Sequence, residues 1–188
     1  PFATEGPAIG GRRLTESPAT PLLGALYADG EMGEKVFPLA FCAGTAEFAI
    51  GGVDDTEVAG GLTYVDTQKT YGAYYGYYLV YLEGVAVDGT SLEVDAGSLN
   101  ELGGVLVDSG TTLIYLPESA VSKIEAEVKS ASDKATTKFF NMESCLSADD
   151  LDGFPTLALE LTGYSLELAA TDYTLEYDVC YYWGVQES

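Results

Sequence analysis

Histidine is absent from this chain of 188 residues, and much chemistry goes with it. Ser-His-Asp triads, Cys-His dyads and His-ligated zinc all need an imidazole that the chain does not supply. Positive charge is scarce: 8 Lys and Arg stand against 30 Asp and Glu, for a formal net charge of −22. Such a field repels phosphate backbones, so nucleic acid is not expected as a partner. Cysteine is limited to Cys42, Cys145 and Cys180. They form no CxxC pair, which removes zinc-ribbon and thioredoxin-like readings. Two of the three could pair in an oxidising compartment, leaving one over. No window approaches 18 uninterrupted apolar residues, so no membrane span is expected. The opening PFATEGPAIGG has no charged n-region, apolar h-region or initiator Met, and reads as part of a mature piece or fragment of a longer protein.

What is present is enough to fill a core: the chain is 47% hydrophobic, with 22 Gly and 14 Tyr. Its acidity suits solubility, and also work in acid, where many carboxylates are neutral. Residues 1–21 read as loop. TPLLGALYADGEM then places Leu22, Leu23, Leu26 and Tyr27 at helical spacing, with Thr20 as N-cap and Pro21 at the first helical position. KVFPLAFCAG and AEFAIGGVD predict two strands, and GLTYVDT another.

The clearest strand pattern is YYGYYLVYLEGVAVDGTSLEV. It predicts Tyr78, Val80 and Leu82 on one face and Tyr77, Leu79 and Tyr81 on the other, with a break at Gly84. Val85–Val87 and Ser91–Val94 then flank an Asp88-Gly89 hairpin turn. After Pro117 the period changes. Val121, Ile124 and Val128 recur at three and four, and Glu125 and Lys129 are placed for an i,i+4 pair, so a long helix is predicted. Lys123, Lys129, Lys134 and Lys138 read as its solvated face. Short strands resume after Cys145, with a turn at Gly163. The class is mainly β with one or two helices.

One carboxylate stands out. In GGVLVDSGTTLIYLP, Asp108 follows Val105, Leu106 and Val107 and precedes another apolar run. Asp-Ser-Gly alone is ordinary turn chemistry. The flanks, however, predict an acid buried between two core strands, where an unpartnered charge is very costly. Hydroxyls at Ser109, Thr111 and Thr112 are at hand to satisfy it, which makes Asp108 a candidate catalytic group. SADDLDGF, by contrast, fails the calcium-loop register at Ala148 and Leu159 and reads as an acidic surface loop.

The Asp108 stretch resembles the second active-site motif of the pepsin-like aspartic proteases. The likeness extends in order through TPLLGALYADGEMGEKVFPLAFC, FAIGGVDDTEVAGGLTYV and YYLVYLEGVAVDGTSL, over most of Pro21 to Cys180. It implies a pepsin-like acid protease fold, with residues 1–36 ending an amino-terminal lobe and its connection. Residues 37–188 would be a carboxy-terminal lobe lacking its final strands. It implies Asp108 as one catalytic carboxylate, Thr111 bracing it, and Gly110 and Thr112 binding the substrate backbone. A Cys145–Cys180 disulfide, no metal or cofactor, a peptide substrate and a secretory or endolysosomal setting also follow from it. For Cys42 two readings stay open, a free thiol or a partner beyond Ser188.

The departures are specific. No second Asp-Thr-Gly or Asp-Ser-Gly occurs, since Asp54 and Asp66 lack the Gly. The flap tyrosine of the amino-terminal lobe is missing, and YGAYYGYY is read as β core and edge. The chain reaches CYYWGVQES before the apolar-apolar-Gly strand that encloses the second aspartate in the family. The facing carboxylate must therefore come from an amino-terminal lobe or another subunit, or the fold serves as an inactive binding or structural subunit.

Overall fold

The computed structural model describes residues 22–42, 45–53, 61–70, 74–101 and 103–188. They fall into two compact units that divide after Thr63. The expected caps at Thr20 and Pro21 lie outside the described residues.

In the first unit, α1 (Leu22–Ala28) forms where the Leu periodicity predicts it. It ends at Gly30, whose φ of 74° is the left-handed conformation that stops helices cheaply. A hairpin follows, β1 (Leu39–Cys42) antiparallel to β2 (Thr45–Phe48), with Leu39 opposite Phe48. Gly51 has a φ of 95° and sits 3.0 Å, measured from an added Cβ, from the Cβ of buried Met32. No larger residue fits that turn unchanged. The backbone of Cys42 completes β1, and its side chain lies outside the described residues.

The second unit is mainly β. One sheet runs β3 (Thr67–Thr70), β4 (Tyr74–Val80), β7 (Val105–Leu106). A second has the order β10 (Tyr164–Leu168), β9 (Leu157–Leu161), β5 (Leu82–Val87), β6 (Thr90–Ser91). Two pairs complete the set. β11 (Thr174–Tyr177) is antiparallel to β12 (Cys180–Trp183), and β13 (Val185–Glu187) is parallel to β8 (Ile114–Leu116). Helices α2 (Ala96–Leu99), α3 (Glu118–Ala131) and α4 (Thr137–Phe140) interrupt them.

The periodicity of α3 translates directly into packing. Ala120, Val121, Ile124 and Val128 are buried against a core that includes Leu82, Val85, Leu116, Leu157 and Trp183. Trp183 is the hub, with ring centroids of Phe139, Phe140 and Tyr173 at 5.8, 5.0 and 5.8 Å. Each such side chain, fully buried, is worth about 1.5–3 kcal/mol in removed apolar surface. Cys145 and Cys180 form a disulfide, Cα atoms 5.4 Å apart and 35 residues apart in sequence. The Asp88-Gly89 turn has the two positive φ values, 47° and 73°, that a type I′ hairpin requires.

Five expectations need correction. GLTYVDT does not form its own strand. The ladder starts at Thr67, because its partner β4 ends at Val80, directly opposite. The break expected at Gly84 falls instead at Tyr81, where the chain leaves one sheet for the other. Gly84 stays inside β5 beside the Glu160 carboxylate, whose Oε2 would lie 2.6 Å from an added Cβ. The second arm of the hairpin stops at Ser91, since Glu93 adopts a φ of 50° that no strand tolerates. Finally, the strand tyrosines do not fill the core. Tyr75, Tyr77, Tyr78 and Tyr81 are all exposed, and Leu79 and Leu82 take the buried positions. Glu125 and Lys129 do not pair either; the ion pair among the described residues is Lys134–Asp150, at 3.5 Å. In the acidic loop, Ser147 and Asp150 cap a 3-10 turn over Ala148–Leu151.

Candidate active site

Asp108 is delivered by β7 and removed by β8. Val105 and Leu106 pair with Val80 and Leu79, and the Val107 N–H donates to the Tyr78 carbonyl at 2.9 Å. The chain then turns through Ser109 and Gly110. The Gly110 N–H donates to Asp108 Oδ1 at 2.9 Å, and the Thr111 hydroxyl donates to Oδ2 at 2.5 Å. One oxygen is thus held by backbone and the other by side chain. Both bonds favour the ionised form, so the Thr111 hydroxyl first, and the Gly110 N–H second, lower the Asp108 pKa below its ordinary value.

The expectation of burial fails here. Asp108 is exposed, and its neighbours Leu106 and Val107 are 46% and 59% accessible. The strands that flank it are short. Among the described residues, β7 has two residues and pairs with β4, and β8 has three and pairs with β13. Neither covers the turn. Of the three hydroxyls expected to satisfy the carboxylate, only that of Thr111 reaches it. Thr112 lies beside it on the wall of an open cavity of about 820 Å³. Val80, Val105, Ile114 and Leu161 also line that cavity, so the carboxylate stands at the edge of an apolar hollow.

Two supporting positions escape a reading of the sequence. At Gly104 a Cβ would lie 2.8 Å from the Val80 carbonyl oxygen, and at Gly184 it would lie 2.7 Å from that of Tyr173. Both glycines permit close backbone approach, Gly104 directly before β7 and Gly184 directly before β13. Paired glycines before VLVDSG were the only hint of the first. Of the other acids weighed in the sequence, Asp66 is exposed in the segment leading into β3, and Asp54 lies outside the described residues. Among the described residues, no three His, Cys, Asp or Glu side chains gather as a metal site, and no helix is long and apolar enough to cross a membrane.

A mainly β unit thus presents an Asp-Ser-Gly turn between two short strands, with the Gly110 N–H and the Thr111 hydroxyl on the Asp108 carboxylate. Residues 8–187 match the family described as eukaryotic aspartyl protease, and the chain belongs to that family. It is 24% identical to an aspartic protease of Phaffia rhodozyma, over 89% of this chain and 38% of that protein. It is 22% identical to pepsin A of Sus scrofa, over 88% of this chain and 40% of the relative. Mucorpepsin of Rhizomucor miehei is 33% identical over 113 residues, which is 59% of this chain and 24% of that protein. The chain therefore spans about two fifths of the length of the first two relatives.

Proposed function

We propose that Asp108 is one of two catalytic carboxylates in a pepsin-type aspartic endopeptidase, and that residues 37–188 belong to its carboxy-terminal lobe. Residues 1–36 are the end of the amino-terminal lobe and the connection from it. The observation that carries this is the two-handed grip of Gly110 and Thr111 on the Asp108 carboxylate at the edge of the cavity. In this reading the facing aspartate comes from the amino-terminal lobe. Two carboxylates face to face cannot both ionise cheaply, so they share one proton. The charged member takes a proton from water as the oxygen attacks the scissile carbonyl carbon, and the protonated member donates to the carbonyl oxygen. Collapse of the resulting diol transfers a proton to the amide nitrogen and breaks the C–N bond. Gly110 and Thr112 bind the substrate backbone. No cofactor is required, and the working compartment is the secretory or endolysosomal route, where the Cys145–Cys180 disulfide persists.

The test is Asp108→Asn in the full-length protein, assayed on a protein substrate in acid. Loss of at least about a thousandfold in kcat is expected for a group that acts as one unit with its partner; undiminished activity would sink the assignment. A second reading is an inactive pepsin-fold binding or structural subunit, since the single Asp-Ser-Gly of this chain does not make a dyad by itself. An upstream sequence without an Asp-Thr-Gly or Asp-Ser-Gly would decide for it.

A further inference from the structure

Strand β7 carries Asp108 into place, yet two residue pairs with β4 are its whole ladder. A ladder so short does not specify its own register, and a slip of one residue would turn each side chain to the opposite face. The register must be fixed upstream. Asn100, at the end of α2, stands where that has to happen. Its Nδ2 donates to the Leu82 carbonyl at 2.8 Å and to the Ala96 carbonyl at 2.7 Å, while its Oδ1 accepts the Leu82 N–H at 3.0 Å. The orientation of the amide is forced, because a backbone N–H needs the oxygen and the two carbonyls need the nitrogen.

The carboxamide thus supplies the donor and the acceptor that a neighbouring strand would offer at Leu82, just past the interruption at Tyr81. The anchors then continue in order along one path. The Asn100 carbonyl accepts the Gly103 N–H at 2.8 Å. Gly104 lies against the Val80 carbonyl. Val105 and Leu106 pair with Val80 and Leu79, and the Val107 N–H bonds to Tyr78. The next residue is Asp108. We propose that Asn100 is a positioning residue for Asp108: its clamp on Leu82 sets the β7–β4 register and hence the face on which the carboxylate stands. This rests on the reading of Asp108 as catalytic.

The experiment uses the full-length protein with Asn100→Ala, Asn100→Asp and Asp108→Asn. For each, kcat and KM are measured per active site, counted with a tight-binding peptide transition-state analogue, alongside the thermal midpoint. Asn100→Ala is expected to lower kcat per site by roughly ten- to a hundredfold, the scale of an ångström-sized misplacement, with KM within about twofold. In Asn100→Asp an ionised carboxylate accepts from Leu82 but cannot donate to either carbonyl. Its deficit relative to wild type is therefore largest at higher pH and shrinks as acid restores an O–H donor. A role in stability alone would lower the midpoint and the number of sites but leave kcat per site untouched.

Asn100→Ala with wild-type kcat per site would overturn the proposal. If that variant does not fold, a pH-independent ratio for Asn100→Asp does the same. A fully active Asp108→Asn would overturn both readings. An inactive Asp108→Asn beside an unimpaired Asn100→Asp would overturn only this one.

Discussion

The Thr111 hydroxyl donates to Asp108 Oδ2 at 2.5 Å, three residues downstream of the acid it serves. This bond is the largest of the influences that lower the Asp108 pKa. The depressed value means that the acid stays ionised further into the acid range than an ordinary aspartate. Any stability it lends is present above the unfolded-state pKa and fades as pH falls through the folded one. Thr111→Val removes the donor, so the acidic limb of the kcat/KM profile should move to higher pH. Thr111→Ser should return it. An acidic limb that stays in place in Thr111→Val would remove the hydroxyl from the site's electrostatics.

Glu125 gives the opposite sign. Its pKa is raised, first by burial on α3 and then by the charge of Glu187 on the adjacent β13. Lys129, one helical turn on, does not bridge to it. The folded state therefore holds the Glu125 proton to higher pH than the unfolded state does. Stability is present below the ordinary glutamate value and is lost as pH rises through the raised one. Glu125→Gln should show no advantage in strong acid and a growing one above about pH 4.5, the ordinary value. Thermal midpoints of both proteins between pH 3 and 7 check this, and a difference that is constant across the range would refute it.

Removing the disulfide as Cys145→Ser with Cys180→Ser should cost about 3–4 kcal/mol, from the chain entropy regained over a loop of 35 residues. Urea midpoints under non-reducing conditions measure it. An unchanged unfolding free energy would mean that the unfolded chain is held together by other means.

Gly184 accepts the Ile114 N–H on its carbonyl at 2.9 Å while its own N–H donates to Tyr173 at 3.2 Å. A methyl group at this crossing would press on the Tyr173 carbonyl. Gly184→Ala should destabilise the unit by about 1–3 kcal/mol, the usual range for overpacking. It should also speed amide exchange at Ile114. Wild-type exchange there would show that the strands accommodate the methyl without moving.

Local chemistry was legible in the sequence, and cover was not. The three-and-four spacing of Val121, Ile124 and Val128 and the Asp88-Gly89 turn each specify a structure within a few residues, and each forms where expected. The burial of Asp108 was inferred from its apolar flanks. Burial, however, depends on what packs over a strand, and among the described residues β7 and β8 each pair with one neighbour. The tyrosines of β4 misled for a related reason, because alternation says which residues share a face but not which face is covered. Asn100 was invisible for another reason: its partner, Leu82, lies 18 residues away, beyond any local pattern.

The parallel pairing of β8 with β13 also joins segments far apart in the order of synthesis. A nascent chain that has emerged only through α3 carries the Asp108 turn on a strand without its partner. That partner arrives after α4 and two further hairpins have been synthesised. Closing so long a loop is entropically costly, and oxidation of Cys145 with Cys180 shortens it just before Val185 is reached. The turn that holds the carboxylate thus depends on a strand synthesised well after it, and the disulfide shortens the loop between the two.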